Sequence, residues 1–242
     1  MTKSEPRLQY IYGAQSCRAV LSRRPEAVTE LLLAGEEKGA RLELASRARE
    51  MKIPVRHFGT RELDQLCRTD SHQGAAVKAS LAEYADLEDV IRPGPSTMLA
   101  LDGITDPHNL GAMIRSAEAL GAAAVIIPRD RSAGLSPTVH KTSAGAAEYI
   151  PVVQAVNLAR ALRQLKAAGF WSYGADPRGP TALDEAEFHE KTVLVIGAED
   201  KGIRPGIEKE IDFRVRIPLA GQTRSLNASV ACAIMLHKMR RK

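Results

Sequence analysis

The second half of the chain alternates short apolar runs with segments of helical periodicity. Six runs have the length of buried strands: residues 98–102 (MLALD), 123–128 (AAVIIP), 149–153 (YIPVV), 170–175 (FWSYGA), 192–198 (TVLVIGA) and 213–218 (FRVRIP). Two helical stripes accompany them: Leu110, Met113, Ile114 and Ala117, then Leu226, Val230, Ala233 and Ile234. Buried strands that alternate with helices are typical of a parallel sheet covered by helices on both faces. The sequence therefore predicts an α/β fold.

A second, smaller α/β unit is predicted in residues 1–80. Its strand-like runs are residues 28–34, 53–59 and 74–79, with helical stretches at residues 42–51 and near Leu63. Residues 81–97 (LAEYADLEDVIRPGPST) are acidic and are then broken by Pro93, Gly94 and Pro95, which continue neither a helix nor a sheet. We therefore predict an N-terminal domain over residues 1–80, a linker over 81–96 and a C-terminal domain over 97–242.

The charge of the chain is unevenly distributed. Of the formal net charge of +5, residues 1–80 carry +4 and the remaining residues carry +1. Basic surface gains affinity for nucleic acid by releasing counterions, so this excess mildly favours a polyanionic partner of the N-terminal domain. Aromatic residues make up 4% of the chain, which is too few for a platform on which successive bases stack.

Several classes of protein are disfavoured. Cys17, Cys67 and Cys232 stand at unrelated spacings, which supports neither a disulfide framework nor a zinc site. His108 and His140 lack further ligands at metal spacing, so we expect surface or hydrogen-bonded histidines and no metal. The first ten residues lack the apolar core of a signal peptide, and no run of about 18 apolar residues occurs. We expect a protein of the reducing cytoplasm.

Three distant segments carry polar residues in apolar, glycine-punctuated settings. They are residues 106–117 (DPHNLGAMIRSA), 193–205 (VLVIGAEDKGIRP) and 217–231 (IPLAGQTRSLNASVA). Each reads as a strand end or turn followed by the start of a helix, where backbone N–H groups and short polar side chains become available to a ligand. Together the three segments predict one composite site.

This ordered trio resembles the SpoU family of RNA ribose 2′-O-methyltransferases, a branch of the knotted SPOUT methyltransferases. Residues 72–80 (HQGAAVKAS), 143–153 (SAGAAEYIPVV) and 157–162 (NLARAL) are similar to the branch that methylates a guanosine of large-subunit ribosomal RNA. The resemblance implies a C-terminal trefoil knot, S-adenosylmethionine as cofactor, a homodimer and a ribosomal-protein-like RNA-binding N-terminal domain. The implied substrate is a guanosine near the peptidyl-transferase centre; a tRNA guanosine or an rRNA adenosine are alternatives.

The resemblance also assigns roles to residues of the three segments. Gly197, Ile217 and Leu226 fall at positions that hold the cofactor. The positions implied for catalysis are Arg115, Asn109, Glu199, Ser225 and Asn227. Arg115 is the central residue, either as the acceptor of the 2′-hydroxyl proton or as a cation that anchors phosphate and stabilises alkoxide charge.

Each of these residues also has a purely structural interpretation. Gly197 ends a strand, Ile217 and Leu226 suit a core, and Arg115 suits an exposed helix face. Asn109 and Ser225 precede helical stripes, so both are candidate N-caps. Asn227 is harder to explain in this way, because it places an amide in the first turn of an apolar helix.

Two further functions compete with methyl transfer. A nicotinamide-dependent oxidoreductase fits poorly, because no GxGxxG follows residues 98–102 and no acidic residue ends the strand at 123–128. A non-catalytic RNA-binding module is the other alternative. The complete set of five polar residues argues against it.

Overall fold

The computed structural model describes residues 8–240, so the predicted domain ends at residues 1–7 and 241–242 lie outside the described residues. The first elements are β1 (Leu8–Tyr12), α1 (Ala14–Arg23), β2 (Val28–Ala34), α2 (Ala40–Glu50), β3 (Val55–Phe58), α3 (Thr60–Cys67), β4 (Ala75–Ser80) and α4 (Leu87–Val90). Next come β5 (Ser96–Asp102), α5 (Pro107–Ala119), β6 (Ala124–Pro128), α6 (Pro137–Thr142), β7 (Val152–Ala155), α7 (Leu158–Ala167) and β8 (Trp171–Ala175). The last are β9 (Thr181–Ala182), β10 (Lys191–Gly197), α8 (Pro205–Glu208), β11 (Phe213–Arg216) and α9 (Ala228–Met239).

The chain divides into two compact units. Residues up to Glu83 form the first together with Leu135–Tyr149, and Tyr84–Gly134 form the second together with Ile150–Lys242. The predicted domains follow one another along the chain, whereas the first compact unit also contains the later segment Leu135–Tyr149. The boundaries of the two functional domains stay a prediction.

The first unit is built on a four-stranded sheet in the order β1-β4-β2-β3. β4 is antiparallel to both β1 and β2, and β3 joins β2 in parallel. One face packs Leu31 and Val77 against Val20 of α1 and Leu44 of α2, and Leu63 of α3 packs in a second cluster with Leu32. The predicted small α/β unit is present, with β1 and α1 as elements that the periodicity did not identify.

A charged cluster fixes the segment Leu135–Tyr149 within this unit. The Glu148 carboxylate, with a side chain 1% exposed, accepts hydrogen bonds from Nε and Nη2 of Arg24 at 2.7 and 2.8 Å and from Nε2 of His140 at 2.9 Å. Burial alone would raise the pKa of Glu148, but the bonds from Arg24 and His140 outweigh it and lower that pKa to about 2. Glu148 is therefore ionised at neutral pH.

His140 is buried and hydrogen-bonded through both ring nitrogens. Nδ1 lies 3.0 Å from the Ser136 carbonyl oxygen, and Nε2 faces the Glu148 carboxylate. A carbonyl and an ionised carboxylate only accept hydrogen bonds, so each ring nitrogen faces an acceptor. Of the two environments expected for this histidine, the hydrogen-bonded one is correct and the surface one is wrong.

The second unit is built on a sheet of seven strands within residues 8–240, in the order β7-β6-β5-β10-β8-β11-β9. All neighbouring pairs are parallel. On one face of the sheet, Met98, Ala100, Val193 and Val195 pack against α7 and α8. The helices α5 and α9 contact each other; α5 also contacts β6, and α9 also contacts β10. The prediction of a parallel sheet flanked by helices is confirmed.

The predicted strand positions hold with local shifts. The run at residues 149–153 becomes β7 only from Val152, because Ala146–Glu148 form a 3-10 turn that begins at the left-handed Gly145. The two-residue strand β9 and the helix α6 were not predicted from the apolar pattern, since both are too short to show a period. No helix within residues 8–240 is both long and apolar enough to cross a membrane.

We expect Glu148→Gln to destabilise the first unit by about 3 kcal/mol at pH 7, because it leaves the half-buried Arg24 guanidinium without its anion and weakens the hydrogen bond with buried His140. The folded pKa lies below the ordinary value of 4.5, so the contribution is present above about pH 4.5 and is lost as the pH falls towards 2. Urea unfolding at pH 7 and pH 3 measures both effects.

The matched control is Glu43→Gln, which removes a carboxylate that is 55% exposed and paired with Arg18. It should leave the free energy of unfolding nearly unchanged at either pH, because solvent screens an exposed ion pair. Equal destabilisation by the two variants would contradict the role given to Glu148.

Candidate active site

The three polar segments begin at one edge of the larger sheet. β5 ends at Asp102, β10 at Gly197 and β11 at Arg216, and parallel strands present their carboxyl ends together. β5 and β10 are neighbours, with Asp102 opposite Gly197, and β11 lies two strands beyond β10. This is the edge at which open parallel α/β sheets usually bind ligands.

Asn227 joins the three segments at a point. Its Nδ2 donates to Oδ1 of Asn109 at 3.1 Å and lies 3.5 Å from both carboxylate oxygens of Glu199. Its Oδ1 accepts from the backbone N–H of Ser229 at 2.9 Å and of Val230 at 3.4 Å. One residue of each predicted segment is therefore brought together, through a side chain whose donors and acceptor are all used.

The helix caps differ from those expected. Asp106, and not Asn109, caps α5 by accepting from the N–H groups of His108 and Asn109 at 2.9 and 3.4 Å. Asn227, and not Ser225, caps α9. The candidate N-caps Asn109 and Ser225 were wrong, because each helix starts at a different residue from the first member of its apolar stripe. Asn109 is consequently free to turn its side chain towards Asn227.

Glu199 lies in a tight hairpin that follows β10. Ala198 and Gly202 exchange backbone hydrogen bonds of 3.1 and 2.8 Å across it. A side-chain carbon at Gly197 would overlap the backbone of Gly202, so only glycine permits the chain to fold back at this point. The sequence signal GAEDKG thus encodes a loop whose shape presents Glu199 to Asn227.

Asp102 anchors the same hairpin and was not identified from the sequence. It is fully buried; its Oδ2 accepts from the Arg204 backbone N–H at 2.8 Å, and its Oδ1 accepts from Nε of Arg204 at 2.7 Å. The hydrogen bond with Asp102 raises the pKa of the Arg204 guanidinium above its ordinary value. The available signal was the single charged residue that ends the apolar run MLALD.

Arg115 and Ser225 are not brought into contact with this cluster. Both are exposed, and neither side chain makes a hydrogen bond or ion pair with another residue of the range 8–240. Arg115 follows Asn109 by six helical positions, so the two side chains leave α5 about 120° apart. Arg115 is thus an unpaired, exposed cation on the helix that carries Asn109, open to a partner from solution.

Gly197 is buried, and Ile217 and Leu226 are half-buried at the two ends of the connection between β11 and α9. The backbone groups of residues 217–226 form no hydrogen bond within the described part of the chain. Free backbone donors and acceptors next to half-buried apolar side chains suit a ligand with a heterocyclic edge and apolar surface. No group of three His, Cys, Asp or Glu side chains among residues 8–240 is arranged to hold a metal ion.

Comparison with known proteins identifies the family. The model of the SpoU rRNA Methylase family matches residues 96–237, and that of "RNA 2'-O ribose methyltransferase substrate binding" matches residues 10–85. A relative from Xylella fastidiosa, named 23S rRNA (guanosine-2'-O-)-methyltransferase RlmB, is 40% identical over 234 residues, which are 94% of each chain. The chain belongs to the SpoU rRNA methylase family, and the resemblance found in its motifs is confirmed.

Solved structures agree with this fold. The AdoMet-bound rRNA methyltransferase of Sinorhizobium meliloti superposes with a TM-score of 0.79 at 25% identity and covers 97% of this chain and 87% of its own. The SpoU methyltransferase AviRb from Streptomyces viridochromogenes, in complex with AdoMet, gives a TM-score of 0.80 at 23% identity and covers 95% and 88%. The predicted fold class is thereby confirmed, and a nicotinamide-binding arrangement is not supported.

We expect Asp102→Asn to loosen the hairpin that carries Glu199, because a neutral amide cannot hold the Arg204 guanidinium and its N–H together. Hydrogen exchange should accelerate about tenfold at the amides of residues 198–204. Glu210→Gln is the matched control, since it removes a carboxylate from the exposed pair with Arg163. Unchanged exchange at residues 198–204 in the Asp102 variant would show that the pair does not hold the loop.

Proposed function

We propose that this protein transfers a methyl group from S-adenosylmethionine to the ribose 2′-hydroxyl of a guanosine in large-subunit ribosomal RNA. The observation that carries the proposal is the meeting of Asn109, Glu199 and Asn227, one residue from each motif segment. Membership of the SpoU family and the guanosine-specific names of relatives such as RlmB of Xylella fastidiosa support the reaction and the substrate.

S-adenosylmethionine supplies, when bound, an already activated methyl group. The residues present fit this cofactor, because residues 217–226 offer unpaired backbone groups between half-buried Ile217 and Leu226. We assign Gly197, Ile217 and Leu226 to its binding. Gly197 acts through the fold of its loop, and the other two act through apolar contact and backbone polarity.

The polar residues would handle the RNA. The Asn227 amide donates to Asn109 and faces both oxygens of the exposed Glu199 carboxylate, which is therefore available at the site. Arg115 would anchor the phosphate of the target nucleotide and stabilise charge that develops on the 2′-oxygen, since a free guanidinium stays protonated. The exposed Ser225 hydroxyl is available to donate to the same nucleotide.

The test uses the purified full chain, a transcript of the peptidyl-transferase-centre domain of large-subunit rRNA and labelled S-adenosylmethionine. One guanosine should become resistant to alkaline cleavage, because a 2′-O-methyl blocks attack on the adjacent phosphate. A modified rRNA adenosine, or modification of tRNA alone, would support one of the alternative substrates. RNA binding without methyl transfer would identify a non-catalytic RNA-binding module.

Arg115→Ala should lower methyl transfer at least a hundredfold and leave S-adenosylmethionine binding within about twofold, because the proposed role is towards RNA charge. Arg115→Lys should restore only part of the activity, since a point charge lacks the planar fork of the guanidinium. Single-turnover assays and titration calorimetry measure the two quantities. Near wild-type turnover in the alanine variant would contradict the role of Arg115.

A homodimer formed through the C-terminal unit is part of the proposal. Val230 and Ile234 lie one helical turn apart on α9, and their side chains are 47% and 39% exposed. Other apolar residues of this helix, such as Cys232 and Met235, are buried. Paired copies of such a helix would cover this face in a symmetric interface. A trefoil knot is also proposed, supported by the path from β11 back to α9 against β10 near the middle of the sheet. We also propose a cytoplasmic location, which the ribosomal RNA substrate supports.

Ile234→Asp should convert the dimer to a monomer, because it introduces a charge into the covered apolar face. Val156→Asp is the matched control, since Val156 is 69% exposed on a loop before α7. Light scattering coupled to gel filtration should give the mass of two chains for the control and of one chain for the Ile234 variant. A dimeric Ile234 variant would show that α9 does not form the interface.

A further inference from the structure

The loop between α3 and β4 holds two non-glycine residues in the left-handed region. Within residues 68–74, Arg68 has φ 56° and Gln73 has φ 57°, followed by Gly74 at φ 74°. Side chains with a Cβ rarely adopt this conformation because the Cβ approaches the backbone. Gln73 is exposed, so burial of its side chain does not compensate for the strain.

Buried His72 fixes the turn that presents Gln73. His72 is only 2% exposed. Its Nδ1 accepts a hydrogen bond from the Gly74 N–H at 2.9 Å, and its Nε2 lies 2.7 Å from Oδ1 of Asp64 on α3. Because the Gly74 N–H only donates, Nδ1 carries no proton and Nε2 donates to Asp64. Nδ1 thus holds the backbone directly after Gln73, and Nε2 ties the ring to α3 through the Asp64 side chain.

Free polar groups surround this turn. The Gln73 amide makes no hydrogen bond to another residue of the range 8–240. Arg41 lies against Gly74, where an added Cβ would come within 2.8 Å of its Nη1, and its Nε donates to the Glu36 carbonyl at 2.8 Å. Neither Arg41 nor Arg68 pairs with a carboxylate among the described residues, whereas Arg18, Arg24 and Arg49 of the same unit do.

We propose that residues 68–74 and Arg41 form the RNA-reading surface of the N-terminal domain. The Gln73 amide bonds the edge of an unpaired base in the substrate RNA, and Arg41 and Arg68 hold the flanking phosphates. Bases of RNA loops expose their edges, and a carboxamide offers the donor and acceptor that pair with a base edge. Guanidinium groups without a protein carboxylate are the natural partners of phosphate. The inference rests on the proposed function, because it takes ribosomal RNA as the substrate.

Gln73→Gly separates this role from a structural one, because the two predict opposite effects. Glycine adopts φ 57° without strain, so the midpoint of thermal unfolding should stay the same or rise. The dissociation constant for the peptidyl-transferase-centre transcript should rise about tenfold, since one base contact is lost. Gln73→Asn, which tolerates the same backbone and keeps the amide, should recover part of the affinity.

Lys52→Gly is the matched control. Lys52 is also exposed and left-handed, with φ 58°, but lies in the turn before β3. Its replacement should relieve the same kind of strain and leave the RNA dissociation constant within about threefold. Arg41→Ala and Arg68→Ala should each reduce the slope of log affinity against log salt by about 0.7–0.9.

The full-length enzyme distinguishes this inference from the proposed function. If the wild type methylates the transcript, the Gln73→Gly variant should show a raised KM for RNA with kcat and S-adenosylmethionine binding unchanged. Equal KM and RNA affinity in the wild type and this variant would overturn the RNA-reading surface and leave the proposed function intact. Failure of the wild type to bind the transcript would overturn both, whereas binding without methyl transfer would overturn only the proposed function.

Discussion

The parallel pairing of β5 with β10 is the constraint on which the larger unit depends. The register runs without a break from Ser96 and Lys191 to Asp102 and Gly197, so the two strands end side by side. A slip by one residue would turn every buried side chain to the opposite face and separate Asp102 from the loop that it anchors. The pairing therefore sets both the central core of the sheet and the position of the hairpin that presents Glu199.

The apolar pattern predicted the helices and strands well, whereas the contacts between polar side chains were harder to predict from the sequence. The runs at residues 98–102 and 192–198 became β5 and β10, because a continuously apolar strand can be satisfied only inside a parallel sheet. The caps were misassigned at Asn109 and Ser225, since any short polar side chain before a helix can cap it and only the backbone path decides which does. The bond between Asp102 and Arg204 joins residues far apart in sequence, and no local period encodes such a pair.

The segment Leu135–Tyr149 shows that a domain prediction based on order along the chain can miss a segment that packs with earlier residues. It lies inside the range matched by the SpoU methylase model, yet it belongs to the compact unit of the N-terminal residues. Hydrogen bonds from Arg24 and His140 to the ionised Glu148 hold the segment in that unit, together with the packing of α6 against β1. A buried charge without its partners is costly, so this contact specifies one arrangement of the segment against α1.

Cations without a carboxylate partner occur at both places that we propose to contact RNA, the motif segments and the surface around Gln73. Each motif segment carries an exposed cation that pairs with no carboxylate of residues 8–240: Arg115, Lys201 and Arg224. Arg41 and Arg68, which belong to the surface proposed around Gln73, also lack a carboxylate partner among these residues. Arg18, Arg24 and Arg49 are instead paired with carboxylates of the protein. A modest net charge is therefore compatible with binding a polyanion, because affinity depends on the cations left free to replace counterions rather than on the sum over the chain. Phosphates positioned by these groups would leave the discrimination among nucleotides to neutral hydrogen-bonding side chains such as Gln73.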